Sequence, residues 1–210
     1  MLVCIAGTDG CGKSTLVESL QVELSQSYTC KQIHLYDTVI YPKLQKRAAM
    51  FLKRNGIENT HYNLVIAYLM YELEEKAFPQ INCLIQNNEI VILDRYLETI
   101  DFIVENYYVD KRILNAILNK FQKPDIYIYI KASPNVSYKR ITALRTPGEG
   151  EELHEIVAAN NYYDSHIQTY GFIVVDGEQS KEEVLKNCLS IIQTEYHKML
   201  SKTIGSGCSG

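Results

Sequence analysis

The sequence predicts an α/β fold in which a doubly wound, five-stranded parallel sheet carries helices on both faces. Five short apolar or β-branched runs alternate along the chain with segments of helical periodicity, at residues 2–6, 31–36, 89–94, 125–130 and 171–175. Each connection between consecutive runs is long enough to cross over the sheet, as parallel pairing requires. Parallel strands are buried on both faces, so helices are expected on each side.

Length and composition are those of an ordinary globular chain. The 210 residues, 46% hydrophobic and 22% charged, predict one domain over residues 1–200 and a flexible tail over 201–210. No apolar run approaches the length that spans a bilayer, which argues against a membrane partner. The formal net charge of −4 leaves no basic footprint for a nucleic-acid polymer. Six cysteines without metal-like spacing predict reduced thiols and a cytoplasmic protein.

The first element, strand 2–6, leads into Gly-Thr-Asp-Gly-Cys-Gly-Lys-Ser, which fits the pattern G-x-x-x-x-G-K-[ST]. Its glycines let backbone N–H groups turn toward phosphate oxygens at the start of a helix, whose dipole adds to the field. Lys13 can reach the β- and γ-phosphates, and the Ser14 hydroxyl can bind Mg²⁺. A glycine-rich turn without a ligand is the alternative. We predict that the phosphates contact Gly7, Thr8, Asp9, Gly10, Cys11, Gly12, Lys13, Ser14 and Thr15.

The second strand and the following helix supply two further candidates. Asp37 directly follows strand 31–36, and strand ends of open α/β sheets point at ligands. Lys43 lies at the start of residues 42–53, which show helical periodicity and carry several cations. These cations either form a solvated face or reach a substrate phosphate.

The third strand follows a long helical pattern over residues 60–86, in which Pro79 predicts a kink or break. This strand delivers Asp94 at its carboxyl end, with Arg95 beside it. An Asp there can support Mg²⁺, and the planar fork of Arg95 suits a phosphate. A surface ion pair at a strand end is the alternative interpretation.

The rest of the chain predicts two helices over 97–121 broken near Asp110, then strand 125–130. Ser133 and Pro134 predict a capped helix start, and this helix carries Arg140 toward Arg145. The turn-rich stretch TPGEGE follows and predicts a mobile lid near residues 140–152. A helix over 151–168, the last strand and a helix over 181–200 complete the pattern.

The motifs IAGTDGCGKST, IVILDRY, the arginines at 140 and 145, and IVVDGEQSKEEV together resemble the thymidylate kinase family over roughly residues 1–199. The resemblance implies a P-loop NTPase-type fold, ATP and Mg²⁺ as cofactors, and transfer of a phosphoryl group to a nucleoside monophosphate, most closely dTMP. It also implies a homodimer. Lys13, Arg95 and the two lid arginines would then neutralise charge on the moving phosphoryl group.

The resemblance also assigns residues on the acceptor side. It places Asp9 near the acceptor sugar, Arg95 on the acceptor phosphate with Tyr96 beside it, and Asp94 on the metal. Lys43 stands in a displaced version of the Phe-Pro-Arg motif of some members. With glycine at position 10, the chain resembles those family members in which the lid, and not the P-loop, supplies a cation.

Two departures leave alternatives open. The arginine of the middle helix in the family appears here as Leu73, which motivates a nucleotide-binding regulator without transfer activity. Asp37 lies where a deoxynucleoside kinase carries the general base for a free 5′-hydroxyl, which motivates that enzyme as a second alternative.

Overall fold

The computed structural model describes residues 1–34, 42–118, 121–148 and 150–206. Within these ranges five strands form one sheet in which every pairing is parallel. The strands are β1 (Leu2–Ala6), β2 (Cys30–His34), β3 (Ile90–Asp94), β4 (Ile126–Lys131) and β5 (Ile173–Asp176). Their order across the sheet is β2-β3-β1-β4-β5. The predicted five-stranded, doubly wound α/β fold is confirmed.

Helices connect the strands on both faces of the sheet. They are α1 (Lys13–Leu24), α2 (Pro42–Arg54), α3 (His61–Glu72), α4 (Phe78–Asn87), α5 (Leu97–Asn106), α6 (Lys111–Leu118), α7 (Pro134–Thr142), α8 (Leu153–Ser165), α9 (Ile167–Tyr170) and α10 (Lys181–Ser206). A π-helical turn, Leu73–Ala77, joins α3 to α4. Across the described ranges, no helix combines the length and apolarity needed to cross a membrane.

Alternating side chains of the central strand feed two hydrophobic cores. Leu2, Cys4 and Ala6 of β1 join the core built with α3, α5 and α6. Val3 and Ile5 point to the opposite face and join the core built with α1 and α10. This division follows from the two-residue period of a strand, and it explains why β1 is buried at all five positions.

The sheet order brings the end of β1 beside the end of β3. Ile5 is in register with Asp94, and Ala6 on the other edge is in register with Tyr129 of β4. Strands β2 and β3 lie on one side of β1, and the later strands β4 and β5 lie on the other side. The direction in which strands are added therefore reverses at β1. In open α/β sheets ligands bind outside the carboxyl ends of the strands at such a reversal.

The long middle helix differs from its prediction. The irregularity is the π-helical turn of residues 73–77, and Pro79 lies in the first turn of α4. The backbone stays helical from the π-helical turn into α4, so the change in hydrogen-bond pattern lies directly before Pro79, which lacks an N–H and whose ring disturbs regular i→i−4 bonding. The second strand ends at His34 rather than near residue 36, and residues 35–41 lie outside the described residues.

Two helix predictions near the carboxyl end are also corrected. The helix expected over 151–168 is divided at His166 into α8 and α9. The last helix continues to Ser206 instead of ending near residue 200, because no proline or glycine interrupts it before Gly205. Residues 207–210 of the expected tail lie outside the described residues. Ser133 precedes α7 as expected, but its side chain makes no capping hydrogen bond.

Candidate active site

The phosphate-binding loop, called the P-loop here (residues 7–14), connects β1 to α1 at the point where the strand order reverses. Gly12 caps α1 with φ 103° and has open space where a Cβ would stand. Gly10 has φ 76°, and a Cβ there would lie 2.3 Å from the carbonyl oxygen of Ser137 in α7. Helix α7 therefore packs directly on the P-loop backbone, and only glycine fits at position 10.

Lys13 is folded into the P-loop and is 5% exposed. Its ammonium group donates to the carbonyl oxygen of Thr8 at 2.6 Å and lies 3.7 Å from the sulfur of Cys11. The Thr8 hydroxyl is buried and has no hydrogen-bond partner within the described ranges. An ammonium and an orphaned hydroxyl inside a glycine-rich loop fit a phosphate, which would supply stronger acceptors than a neutral carbonyl.

Ser14 and Asp94 form the second contact of the site. The Ser14 hydroxyl donates to Oδ2 of Asp94 at 3.1 Å, across the junction of β1 and β3. Asp94 is 7% exposed, whereas Ser14 is exposed to solvent. A hydroxyl and a carboxylate oxygen are hard donors of the kind that Mg²⁺ prefers, so this pair fits the predicted metal position.

Arg95 turns the chain out of β3 with φ 68°, in the left-handed region that few residues other than glycine adopt. Its guanidinium group forms an ion pair with Asp9 of the P-loop, and both side chains remain partly exposed. Tyr96 points the other way: its ring is 1% exposed and its hydroxyl donates to the carbonyl of Gln122 at 3.0 Å. The structure thus brings Arg95 to the P-loop and places Tyr96 in the core.

The two arginines near the lid have different surroundings. Arg140 in α7 donates from both terminal nitrogens to the carbonyl of Gly177 at 3.0 Å, and from one to Cys11 at 3.3 Å. It thereby ties the P-loop to the loop after β5. Arg145 follows α7, is half exposed and forms an ion pair with Glu151 through both terminal nitrogens.

Glu151 contacts a candidate site residue, Arg145, and the sequence pattern did not single it out. Its carboxylate accepts from Arg145 and from the N–H of Gly148 at 2.7 Å. The hydrogen bonds from Arg145 lower the pKa of Glu151 to about 2, and Arg95 contributes to the same shift. In turn, the pKa of Arg145 is raised mainly by Glu151 and also by Asp9. Four charged side chains therefore interact at this end of the sheet, namely Asp9, Arg95, Arg145 and Glu151.

The remaining candidates lie farther from these contacts or outside the described residues. Lys43 is exposed in the first turn of α2, and Asp37 lies outside the described residues. Leu73 is 1% exposed and belongs to the hydrophobic core. An arginine at position 73 would therefore have to enter the hydrophobic core. Leucine, which this chain has in place of the family's arginine, packs well in that core.

The sequence is similar to those of known proteins. The sequence model of the family described as Thymidylate kinase matches residues 5–188. Similar curated proteins include a thymidylate kinase of Leptospira interrogans, 28% identical over 92% of this chain and 94% of its own. A probable thymidylate kinase of Saccharolobus solfataricus is 24% identical, and the match covers 91% of this chain and 96% of that protein.

One solved structure resembles this chain in its fold. The deoxyadenosine kinase from M. mycoides, solved with dCMP and dCDP as products, has a TM-score of 0.58. It is 18% identical in sequence, and the match covers 92% of this chain and all of that one. The P-loop NTPase-type fold is shared.

Proposed function

The chain belongs to the thymidylate kinase family and is therefore a nucleotide kinase, and we propose that it phosphorylates dTMP to dTDP with ATP and Mg²⁺. The observation that carries this proposal is the pairing of two sites at adjacent strand ends. Ser14 with Asp94 provides a metal and donor position, and Asp9 with Arg95 provides an anion position beside it. Two phosphate groups can be held close together by these pairs.

On the donor side, the P-loop would hold the phosphates of ATP. Its backbone N–H groups and the Lys13 ammonium would replace the Thr8 carbonyl contact with charge-assisted bonds. A Mg²⁺ ion held by Ser14 and Asp94 would neutralise charge on the transferred phosphoryl group. Arg140 keeps the carbonyls of Cys11 and Gly177 in place and so maintains the shape of this side.

On the acceptor side, Arg95 is the residue proposed to bind the 5′-phosphate. Its present partner is a carboxylate, and both groups of that ion pair remain partly exposed to solvent. A phosphate can accept two parallel N–H bonds from a guanidinium group and carries more charge than a carboxylate, so it can replace the Asp9 contact. Asp9 would then be released toward the acceptor sugar.

The segment between α7 and α8 is the proposed lid. Arg145 is paired with Glu151 but is also within electrostatic reach of Asp9. A negatively charged phosphoryl group at the P-loop would compete with Glu151 for this guanidinium. Closure of the segment would exclude water, which would otherwise weaken these interactions and compete as the acceptor.

We also propose that the enzyme is cytoplasmic and forms a homodimer, as the family resemblance implies. The cysteines of the sequence also motivate this compartment, because the six are scattered without the spacing of a metal site. Light scattering of the purified protein measures the oligomeric state, and a mass of one chain would contradict the dimer.

The experiment is a coupled ADP-release assay across a panel of nucleosides and nucleoside monophosphates. We expect turnover with dTMP and much less with thymidine, because thymidine lacks the 5′-phosphate that Arg95 is proposed to bind. Phosphorylation of free nucleosides alone would indicate a deoxynucleoside kinase with Asp37 as general base. ATP binding without turnover on any acceptor would indicate a regulator.

A further inference from the structure

Glu98 is a buried acid that the proposed chemistry does not use. It lies in the first turn of α5, and its side chain is 0% exposed. One carboxyl oxygen accepts from the backbone N–H of Tyr96 at 3.0 Å and from the Thr99 hydroxyl at 3.4 Å. The other lies 3.5 Å from the thiol of Cys4 in β1.

A buried carboxyl group carries a free-energy cost that other interactions must offset. Transfer of such a group from water into a core costs free energy unless hydrogen bonds replace those to water. Burial raises the pKa of Glu98, and the N–H of Tyr96 opposes that shift. An unbranched apolar side chain such as methionine would fill the same space without this cost. The acid or its amide supplies hydrogen-bond acceptors that methionine lacks, and the N–H of Tyr96 makes a shorter bond to them than the Thr99 hydroxyl or the Cys4 thiol does.

The turn that holds Arg95 has an uncommon backbone conformation. Arg95 has φ 68°, and a non-glycine residue in this region must be held there by its surroundings. The backbone N–H of Arg95 itself donates to the carbonyl oxygen of Ile5 at 3.1 Å. The N–H that follows its Cα belongs to Tyr96 and donates to Glu98. Both peptide groups beside Arg95 are therefore anchored, one by β1 and one by Glu98.

We infer that Glu98 is a positioning residue that holds the Arg95 backbone in its left-handed conformation and so directs the guanidinium group toward the acceptor phosphate. This inference rests on the proposed function, because that function assigns the acceptor phosphate to Arg95. The anchor acts on the peptide after Arg95 and does not touch the P-loop. Its loss should therefore weaken acceptor binding and leave the ATP site unchanged.

The test compares three substitutions of Glu98. Glu98→Met removes the acceptor and keeps the length of the side chain, and we expect the KM for dTMP to rise at least tenfold while the KM for ATP changes less than twofold. Glu98→Gln keeps an oxygen for Tyr96 and should stay within threefold of wild type. Glu98→Asp keeps the acid but shortens it by one methylene, and should show an acceptor-specific rise even where Glu98→Met does not fold.

A double-mutant cycle with Arg95→Ala separates positioning from packing. If Glu98 acts through Arg95, Glu98→Met or Glu98→Asp should raise the KM for dTMP no further in the Arg95→Ala background. Asn63 provides the matched control: it is 5% exposed and bonds the backbone at Glu58 and Asp110. Asn63→Leu should lower the melting temperature without any acceptor-specific change.

Several outcomes would overturn the inference. They are equal rises in both KM values, a lower melting temperature with unchanged kinetics, a Glu98→Gln defect as large as that of Glu98→Met, or an effect that persists without Arg95. Wild-type turnover is measured first. Its absence with every monophosphate would overturn the proposed function and the inference with it, whereas wild-type turnover with an unchanged acceptor KM in the variants would overturn only the role of Glu98.

Discussion

Arg145 and Glu151 form an ion pair that closes the segment between α7 and α8 onto itself. Both carboxylate oxygens accept from the guanidinium group, and the N–H of Gly148 donates to the same carboxylate. The two partners differ in exposure: the Arg145 side chain is 57% exposed and that of Glu151 is 12% exposed. The arginine can therefore change partner while the acid stays in place, which suits a lid that exchanges a protein carboxylate for a phosphate.

The first prediction concerns the pH dependence of this pair. The folded-state pKa of Glu151 is about 2 against an ordinary 4.5, so its contribution to stability is complete above pH 4.5 and is lost as the pH falls toward 2. The free energy of unfolding of wild type minus that of Glu151→Gln should be constant at higher pH and shrink below 4.5. Urea titrations at several pH values measure it. Glu195→Gln, in a surface pair with Lys198, is the control, and an equal trend there would contradict the prediction.

The second prediction concerns Lys13. Lys13→Met keeps the buried aliphatic stem and removes the charge that the P-loop offers to phosphates, so the fold should persist while turnover falls. We expect at least a hundredfold loss in kcat, about 2.7 kcal/mol of barrier. Circular dichroism and ADP release are measured on the same sample. Turnover within about tenfold of wild type, ~1.4 kcal/mol, would show that Lys13 does not stabilise the transferred phosphoryl group. Lys186→Ala on the exposed side of α10 is the control.

The third prediction concerns the metal position. Ser14→Ala removes the hydroxyl that lies 3.1 Å from Asp94 and should raise the Mg²⁺ concentration for half-maximal activity several-fold, because one hard ligand is lost. The measurement is a Mg²⁺ titration at saturating ATP and dTMP. Ser19→Ala in the same helix removes a hydroxyl that bonds the backbone carbonyl of Thr15 and should leave the titration unchanged. Identical curves for both variants would argue against Ser14 as a ligand.

The fourth prediction separates the two arginines that the sequence had assigned to one role. Arg140 holds two carbonyl groups around the P-loop, so Arg140→Ala should raise the KM for ATP and lower the melting temperature. Arg145→Ala should lower kcat with little change in the KM for ATP, because its substrate contact is expected mainly in the transition state. Steady-state kinetics of both variants decides it. The same pattern in both would mean that they act alike.

Much of the fold could be predicted because its signals are local. The strands are short apolar runs, and each is followed by a helical period or a turn signal that adjacent residues carry. The P-loop is likewise contiguous, so its residues could be named without knowledge of the fold. Element ends were less accurate: the division at His166 and the π-helical turn at 73–77 depend on packing against neighbours.

The sequence by itself determined the α/β class, the P-loop and the acid-arginine pair after β3, because each is written in consecutive residues. Only the tertiary structure decided which of these groups meet. The order β2-β3-β1-β4-β5 sets Asp94 beside Ser14 and Arg95 beside Asp9, and strand order is not encoded in any local period. Glu98 and Glu151 were missed although Tyr96, Arg145 and Gly148, which bond their carboxylates, lie within six residues of them in the chain. A single acid carries no sequence pattern that marks it, and the burial of Glu98 beside Cys4 of β1 depends on the tertiary packing.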